Sequence, residues 1–214
     1  TGVRVTSNSA CYSYVSAAAP SPAGASNASG GYRDAFVKDD RLEGTILSDD
    51  FMVTKVVGFG GYGRFYQAEH LSVGKRAVAI KVLHAMHRDR PATVAAFKLE
   101  VSYLAMLRSP CFPRVIRTGL TPDGLPYFAM EFISGKGLAG ILKSNGPLDI
   151  NRAVYIMDRV CEGITEMHRK DIVHRDIKPG NVIVEEGAAK AWSIWMLDLG
   201  CAKPAYEPDM PQNK

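Results

Sequence analysis

This 214-residue chain is poor in cysteine, in histidine and in long apolar runs. Its 4 cysteines, Cys11, Cys111, Cys161 and Cys201, lie far apart, with no CxxC pair among them. That spacing argues against a disulfide framework and against a cysteine-built zinc site. It fits a reducing compartment, so a cytoplasmic location is expected. No apolar run approaches the roughly 18 residues that cross a bilayer, and no signal-peptide pattern opens the chain, so no membrane segment is expected within it. Charge of one sign is scarce as well: 26 Lys and Arg against 22 Asp and Glu leave a net +4, with no dense basic block. A nucleic-acid partner needs a clustered basic face and is not expected. The remaining composition, 46% hydrophobic and 22% charged, is that of a globular protein.

The first 31 residues are rich in Ser, Ala and Gly, as in SAAAPSPAGASNASGG, and cannot bury enough apolar surface to offset their ordering entropy. A disordered leader is expected over 1–41. From Leu42 the pattern changes. FMVTKVVG (51–58), RFYQAEH (64–70), RAVAIKVL (76–83), RVIRTGL (114–120) and LPYFAMEF (125–132) read as strands, separated by Gly-rich or turn-forming stretches such as SVGK and TPDG. Pro91 opens a helix whose Phe97, Val101, Leu104 and Leu107 share a face. Beyond Glu131 the strand signals thin out. GLAGILKS reads as a short helix, and 151–169 as a long one with Val154, Met157, Val160, Ile164 and Met167 facing inward. The expectation is an α+β fold of two lobes: five antiparallel strands with one helix over 42–132, then a helical part over 133–214.

Chemistry enters through short motifs. Gly58-Phe59-Gly60-Gly61-Tyr62-Gly63 fits GxGxxG, which by itself is also met in turns with no ligand. A dinucleotide fold needs the motif to open a helix. Here a strand follows, so the glycines cap a hairpin, where backbone N–H groups can approach phosphate oxygens unobstructed. Lys81 ends VAIK on the third strand, pointing to the same side as Ala79. A cation in that apolar setting needs an anion, and Glu100 on the following helix can supply one. HRD occurs twice, at His87-Arg88-Asp89 and at His174-Arg175-Asp176. Only the second is followed by Lys178 and Asn181, which offer with Asp176 a base, a cation for a transferring phosphate and an oxygen ligand for Mg²⁺. Asp198-Leu199-Gly200 adds a second hard oxygen ligand. The first copy has Pro91 and Val94 at those positions and reads as a solvated linker. His84 and His87 form HxxH without a further ligand nearby, which does not make a metal site.

These residues, in this order from about Leu42 to Lys203, resemble the eukaryotic-like protein kinases. GGYGRFYQAEH, LRSP and HRDIKPGN look most like bacterial Ser/Thr members. The resemblance implies a protein-kinase-like fold that binds ATP and Mg²⁺ and phosphorylates Ser or Thr hydroxyls of protein substrates. Lys81, held by Glu100, would grip the α- and β-phosphates under the Gly58–Gly63 backbone. Asp176 would take the substrate hydroxyl proton and Lys178 would steady the γ-phosphoryl group, while Asn181 and Asp198 would hold the metal. Met130 would stand at the back of the adenine pocket, Glu131 to Ile133 would form the hinge that bonds the base, and Ala79 and Ile183 would sandwich it. Arg175 resembles the arginine of members regulated by activation-loop phosphorylation.

Two departures stand out. Phe65 occupies a position that is usually Val, where it could crowd or line the adenine pocket. The chain also ends soon after DLG, so the second lobe is expected to be incomplete and residues 1–214 alone to be inactive. Two other readings stay open: an ATP-binding pseudokinase that acts as a scaffold, and a small-molecule phosphotransferase of the aminoglycoside-kinase type.

Overall fold

Alternation along one strand explains the layered core. In RAVAIKVL the residues Val78, Ile80 and Val82 enter one buried cluster, while Ala79 and Leu83 enter another on the opposite side. Both faces of this strand are therefore covered, which is why it reads as a nearly continuous apolar run. The computed structural model describes residues 42–187 and 192–205, so the expected leader and residues 206–214 lie outside the described residues.

The sheet has six strands rather than five. β1 (Ile46–Leu47), β2 (Phe51–Phe59), β3 (Gly63–His70), β4 (Arg76–Leu83), β5 (Val115–Leu120) and β6 (Pro126–Glu131) lie in the order β1-β2-β3-β4-β6-β5. All neighbours are antiparallel. The strand missed from sequence, β1, is two residues long, too short to show any alternation. Leu47, Phe51, Val53, Tyr66, Ile80 and Tyr127 fill the cluster on one face of the sheet. The opposite face packs Phe65, Ala79, Phe128 and Met130 against helix α1 (Pro91–Met106) through Phe97 and Leu104. Leu107 joins this core from just beyond the helix, in extended backbone, rather than from its last turn as expected.

Among the described residues the second part holds helices α2 (Leu138–Asn145) and α3 (Ile150–Arg169) and five short strands: β7 (Lys136–Gly137), β8 (Ile172–Val173), β9 (Val182–Glu186), β10 (Trp192–Met196) and β11 (Lys203–Pro204). β9 lies between β10 and β7, and β11 pairs with β8. The Asp149 side chain starts α3 by accepting from the Arg152 amide at 3.0 Å. The inward face of α3 corrects the sequence reading. Ile156, Val160, Gly163 and Met167 are buried, while Val154 and Met157, expected inside, are exposed. Gly163 sets this rotation. A Cβ there would stand 3.0 Å from Met196 Sδ and 3.3 Å from Phe112, so the helix approaches β10 along its glycine side. No helix among the described residues is long and apolar enough to cross a membrane.

Candidate active site

β4 and α1 carry the first half of the site. Register with β3 and β6 sets Lys81 opposite Phe65 and Phe128, and its side chain enters the core face, where it is buried. Lys81 Nζ donates to Glu100 Oε1 at 2.6 Å and to Oε2 at 2.8 Å, and the Glu100 carboxylate is equally buried. A third bond reaches Asp198 Oδ1 at 3.2 Å, joining residues 117 positions apart in sequence. These contacts use all three ammonium protons. Burial disfavours the Lys81 charge, yet the attraction of Glu100 and Asp198 outweighs it and holds the ammonium above its usual pKa. Burial pushes the Glu100 carboxyl up, and the neighbouring Lys81 only partly offsets that. Asp198 goes the other way: Lys81 draws its carboxyl below the usual range, against a smaller effect of burial.

The second half hangs on the loop between β8 and β9. Lys178 Nζ donates to both carboxylate oxygens of Asp176, at 2.9 and 2.7 Å. Asn181 Nδ2 donates to the Asp176 carbonyl at 2.8 Å and to Oδ2 at 3.0 Å. The buried amide oxygen of Asn181 has no hydrogen-bond partner. An unpartnered hard oxygen suits a magnesium ion, and Asp198 adds a carboxylate of the same character. Among the described residues no group of three His, Cys, Asp or Glu side chains could hold a metal. The Leu197 amide donates to the Asn181 carbonyl at 2.8 Å, fastening the turn at Asp198 to the loop. Arg175 and Asp198 both hold left-handed backbone, φ 68° and 62°, a local cost that recurs at functional turns.

His174 packs under this loop, buried, and its Nδ1 accepts from the Asp176 amide at 3.3 Å. Burial lowers its pKa from 6.5, against weaker opposing effects of Asp198 and Asp176. The unfolded chain therefore binds a proton below about pH 6.5 that the folded chain resists. Stability should be flat in this respect above that pH and fall as pH drops through it, by up to ~1.4 kcal/mol per pH unit. Urea midpoints between pH 7.5 and 5.5 check this, and His174→Asn should flatten the profile.

The glycine turn joins β2 to β3, with Gly58 opposite Phe65 and Phe59 opposite Arg64. The Gly60 amide donates to the Gly63 carbonyl at 2.8 Å, while Gly61 and Tyr62 are exposed. Gly63 lies so close to β4 that a Cβ would meet the Val82 carbonyl at 2.7 Å, which no side chain allows. Ala79, Met130, Ile133 and Ile183 are buried together in one cluster. The Glu131 amide donates to the Arg114 carbonyl at 3.0 Å. Phe65 is buried in the same cluster, with Lys81 Nζ 5.1 Å from its ring centroid, so the ring packs along the lysine as a cation–π neighbour.

A profile of the protein kinase domain matches residues 51–213. The chain belongs to the protein kinase family. It is 32% identical over 164 residues to serine/threonine-protein kinase pkn3 of Myxococcus xanthus, covering 77% of this chain and 30% of that protein. It is 34% identical to serine/threonine-protein kinase pkn2 of the same organism (77% of this chain, 19% of that protein) and 34% identical to serine/threonine-protein kinase PknB of Mycolicibacterium smegmatis (73% and 25%). The chain thus spans less than a third of the length of these relatives. The kinase fold is the two-lobe arrangement described above, and the relatives are bacterial Ser/Thr kinases, as the motifs suggested.

Sequence reasoning missed three contacts. The bond from Lys81 to Asp198 had no local signal. The direct pairing of Lys178 with Asp176 was legible only as proximity. The first HRD is not a purely solvated linker: Arg88 and Asp89 are exposed, but His87 is buried, with its ring 5.8 Å from that of Tyr62.

Proposed function

We propose that the chain carries the ATP-binding and catalytic elements of a serine/threonine protein kinase that moves the γ-phosphoryl group of ATP to a Ser or Thr hydroxyl of a protein. Residues 42–132 form the nucleotide-binding half in this reading and 133–214 the catalytic half, acting in the cytoplasm. The observation that carries it is two polar clusters brought to one turn: buried Lys81 with Glu100 and Asp198, and Asp176 with Lys178 and Asn181, whose carbonyl accepts from the Leu197 amide beside Asp198. Lys81 turns one of its donors to phosphate oxygens; its longest bond, to Asp198 at 3.2 Å, is the one to give way. Asp176 accepts the proton of the attacking hydroxyl, and Lys178, already within reach, moves toward the γ-phosphoryl oxygens. Asn181 and Asp198 hold Mg²⁺, which when bound supplies charge neutralisation across the phosphates. Ala79 and Ile183 flank the adenine, with Met130 behind it and Glu131 to Ile133 along its edge.

Transfer of labelled phosphate from ATP to a panel of proteins, against a panel of small hydroxyl metabolites, tests the reading on the full-length protein. Protein labelling that needs Mg²⁺ and is lost in Asp198→Asn is expected. Labelling of metabolites alone would point to a small-molecule phosphotransferase.

Phe65 bears on the pseudokinase reading. Extra volume in a stiff pocket costs ~1–3 kcal/mol, and stacking on a base returns ~1–3 kcal/mol. Exposed Gly61, where an added Cβ would meet nothing, lets the tip of the turn adjust. Calorimetry should therefore find ATP·Mg²⁺ binding in the wild type, with Phe65→Val within about tenfold of it. Binding seen only in Phe65→Val would mean that the ring plugs the pocket.

A further inference from the structure

The glycine turn is held by more than the pairing of β2 with β3. Just after β4, the His84 amide donates to the Tyr62 carbonyl at 2.9 Å, and His84 Nε2 lies 3.1 Å from the Gly60 carbonyl oxygen. A carbonyl only accepts, so Nε2 carries the proton. The ring is half-buried, and burial lowers its pKa against the effect of the Gly60 bond, with Arg64, His87 and Lys81 adding like charge nearby. The neutral ring with its proton on Nε2 is thus the working form near neutral pH. Buried His87 stands beside it, the ring centroids 6.3 Å apart, and also against Tyr62 at 5.8 Å. From there the Tyr62 ring leans toward the Asp198 turn: a Cβ built on Gly200 would lie 3.8 Å from Tyr62 Cδ2.

We propose that His84 is a positioning residue of the phosphate-binding turn, its Nε2–H fixing the Gly60 carbonyl and with it the direction of the next N–H. The peptide unit is planar and trans, so the Gly60 carbonyl and the Gly61 N–H point opposite ways, and holding one aims the other. Gly60 and Gly61 have no side chains to limit their backbone, so without an outside tether this peptide is free to turn over. The segment HAMH therefore serves the turn from the neighbouring strand end. The inference rests on the reading of Gly58–Gly63 as the site of the nucleotide phosphates.

The test is calorimetric titration of the full-length protein with Mg·ADP and, separately, with adenosine, which has no phosphate to reach the turn. His84→Phe removes the donor, and His84→Gln keeps an N–H at similar reach. His84→Phe should bind Mg·ADP about 3- to 10-fold more weakly, the value of one lost hydrogen bond, with adenosine affinity unchanged. His84→Gln should stay within about twofold of wild type for both ligands. Unchanged Mg·ADP binding in His84→Phe overturns the inference alone. Parallel loss of adenosine and Mg·ADP makes His84 a structural residue and also overturns it. Absence of any nucleotide binding by the wild type overturns the reading of the site, and this inference with it.

Discussion

Replacing Asp176 with Asn in the full-length protein should lower phosphoryl transfer by roughly 10²–10⁴, whereas Asp89→Asn should leave it nearly unchanged. The size comes from two losses at one carboxylate. The carboxylate is the proposed proton acceptor, and an amide cannot accept that proton at neutral pH. The carboxylate also accepts from Lys178 at 2.9 and 2.7 Å and from Asn181 at 3.0 Å. An amide nitrogen facing those donors would push Lys178 and Asn181 out of place. The fold should survive, because Asp176 is only half-buried. Asp89 is exposed, on the segment before α1. Rates with ATP·Mg²⁺ and an accepted protein substrate decide the matter. Equal losses at both positions would show that the wrong copy of HRD had been assigned.

Lys81→Met should be costly in two separable ways. It leaves Glu100 buried without its cation, a loss that typically amounts to ~3–5 kcal/mol when one partner of a buried pair is removed. Proton uptake by Glu100 limits the damage, since burial already favours its neutral form. With the Glu100 pKa raised in the folded variant, the folded state binds the extra proton and its stability falls as pH rises through that pKa. The destabilisation should therefore be smaller at pH 5 than at pH 8 in urea unfolding. Lys81→Met also removes a phosphate contact, worth ~1.5–3 kcal/mol of nucleotide affinity for a charged hydrogen bond. The double variant Lys81→Met/Glu100→Leu tells the two apart. Apolar replacement of both partners should recover most of the stability, but none of the nucleotide affinity. Full activity in Lys81→Met would remove Lys81 from the proposed site.

Apolar spacing oriented α1, although exposed Leu99 and Met106 put apolar residues on its outer side too, but it misplaced the inward face of α3. Phe97 and Leu104 of α1 turned inward as their spacing required. Along α3, Val154 and Met157 continue the apolar series of Val160 and Met167, so a plausible inward stripe could be drawn through them. The buried stripe runs instead through Ile156 and Gly163. Glycine adds nothing to an apolar pattern, yet at position 163 its missing side chain is what lets Met196 and Phe112 approach. The register of β4 was better determined, because a one-residue slip would have turned Lys81 out of the cleft side and Val82 into it.

The sequence by itself determined the kinase family, the five longer strands of the sheet and the identity of the polar groups. Each is written in spacings of a few residues, such as GFGGYG, VAIK, HRDIKPGN and DLG, where local geometry and chemistry coincide. Tertiary structure alone decided which charges meet. Lys81 reaches Asp198 across 117 residues, Phe65 lies along Lys81, and His84 reaches the Gly60 carbonyl. Such contacts depend on how the strands of the sheet pair and how the turn after β10 packs against them. Hydrogen bonds of about 3 Å select among partners only after that packing has brought them within reach.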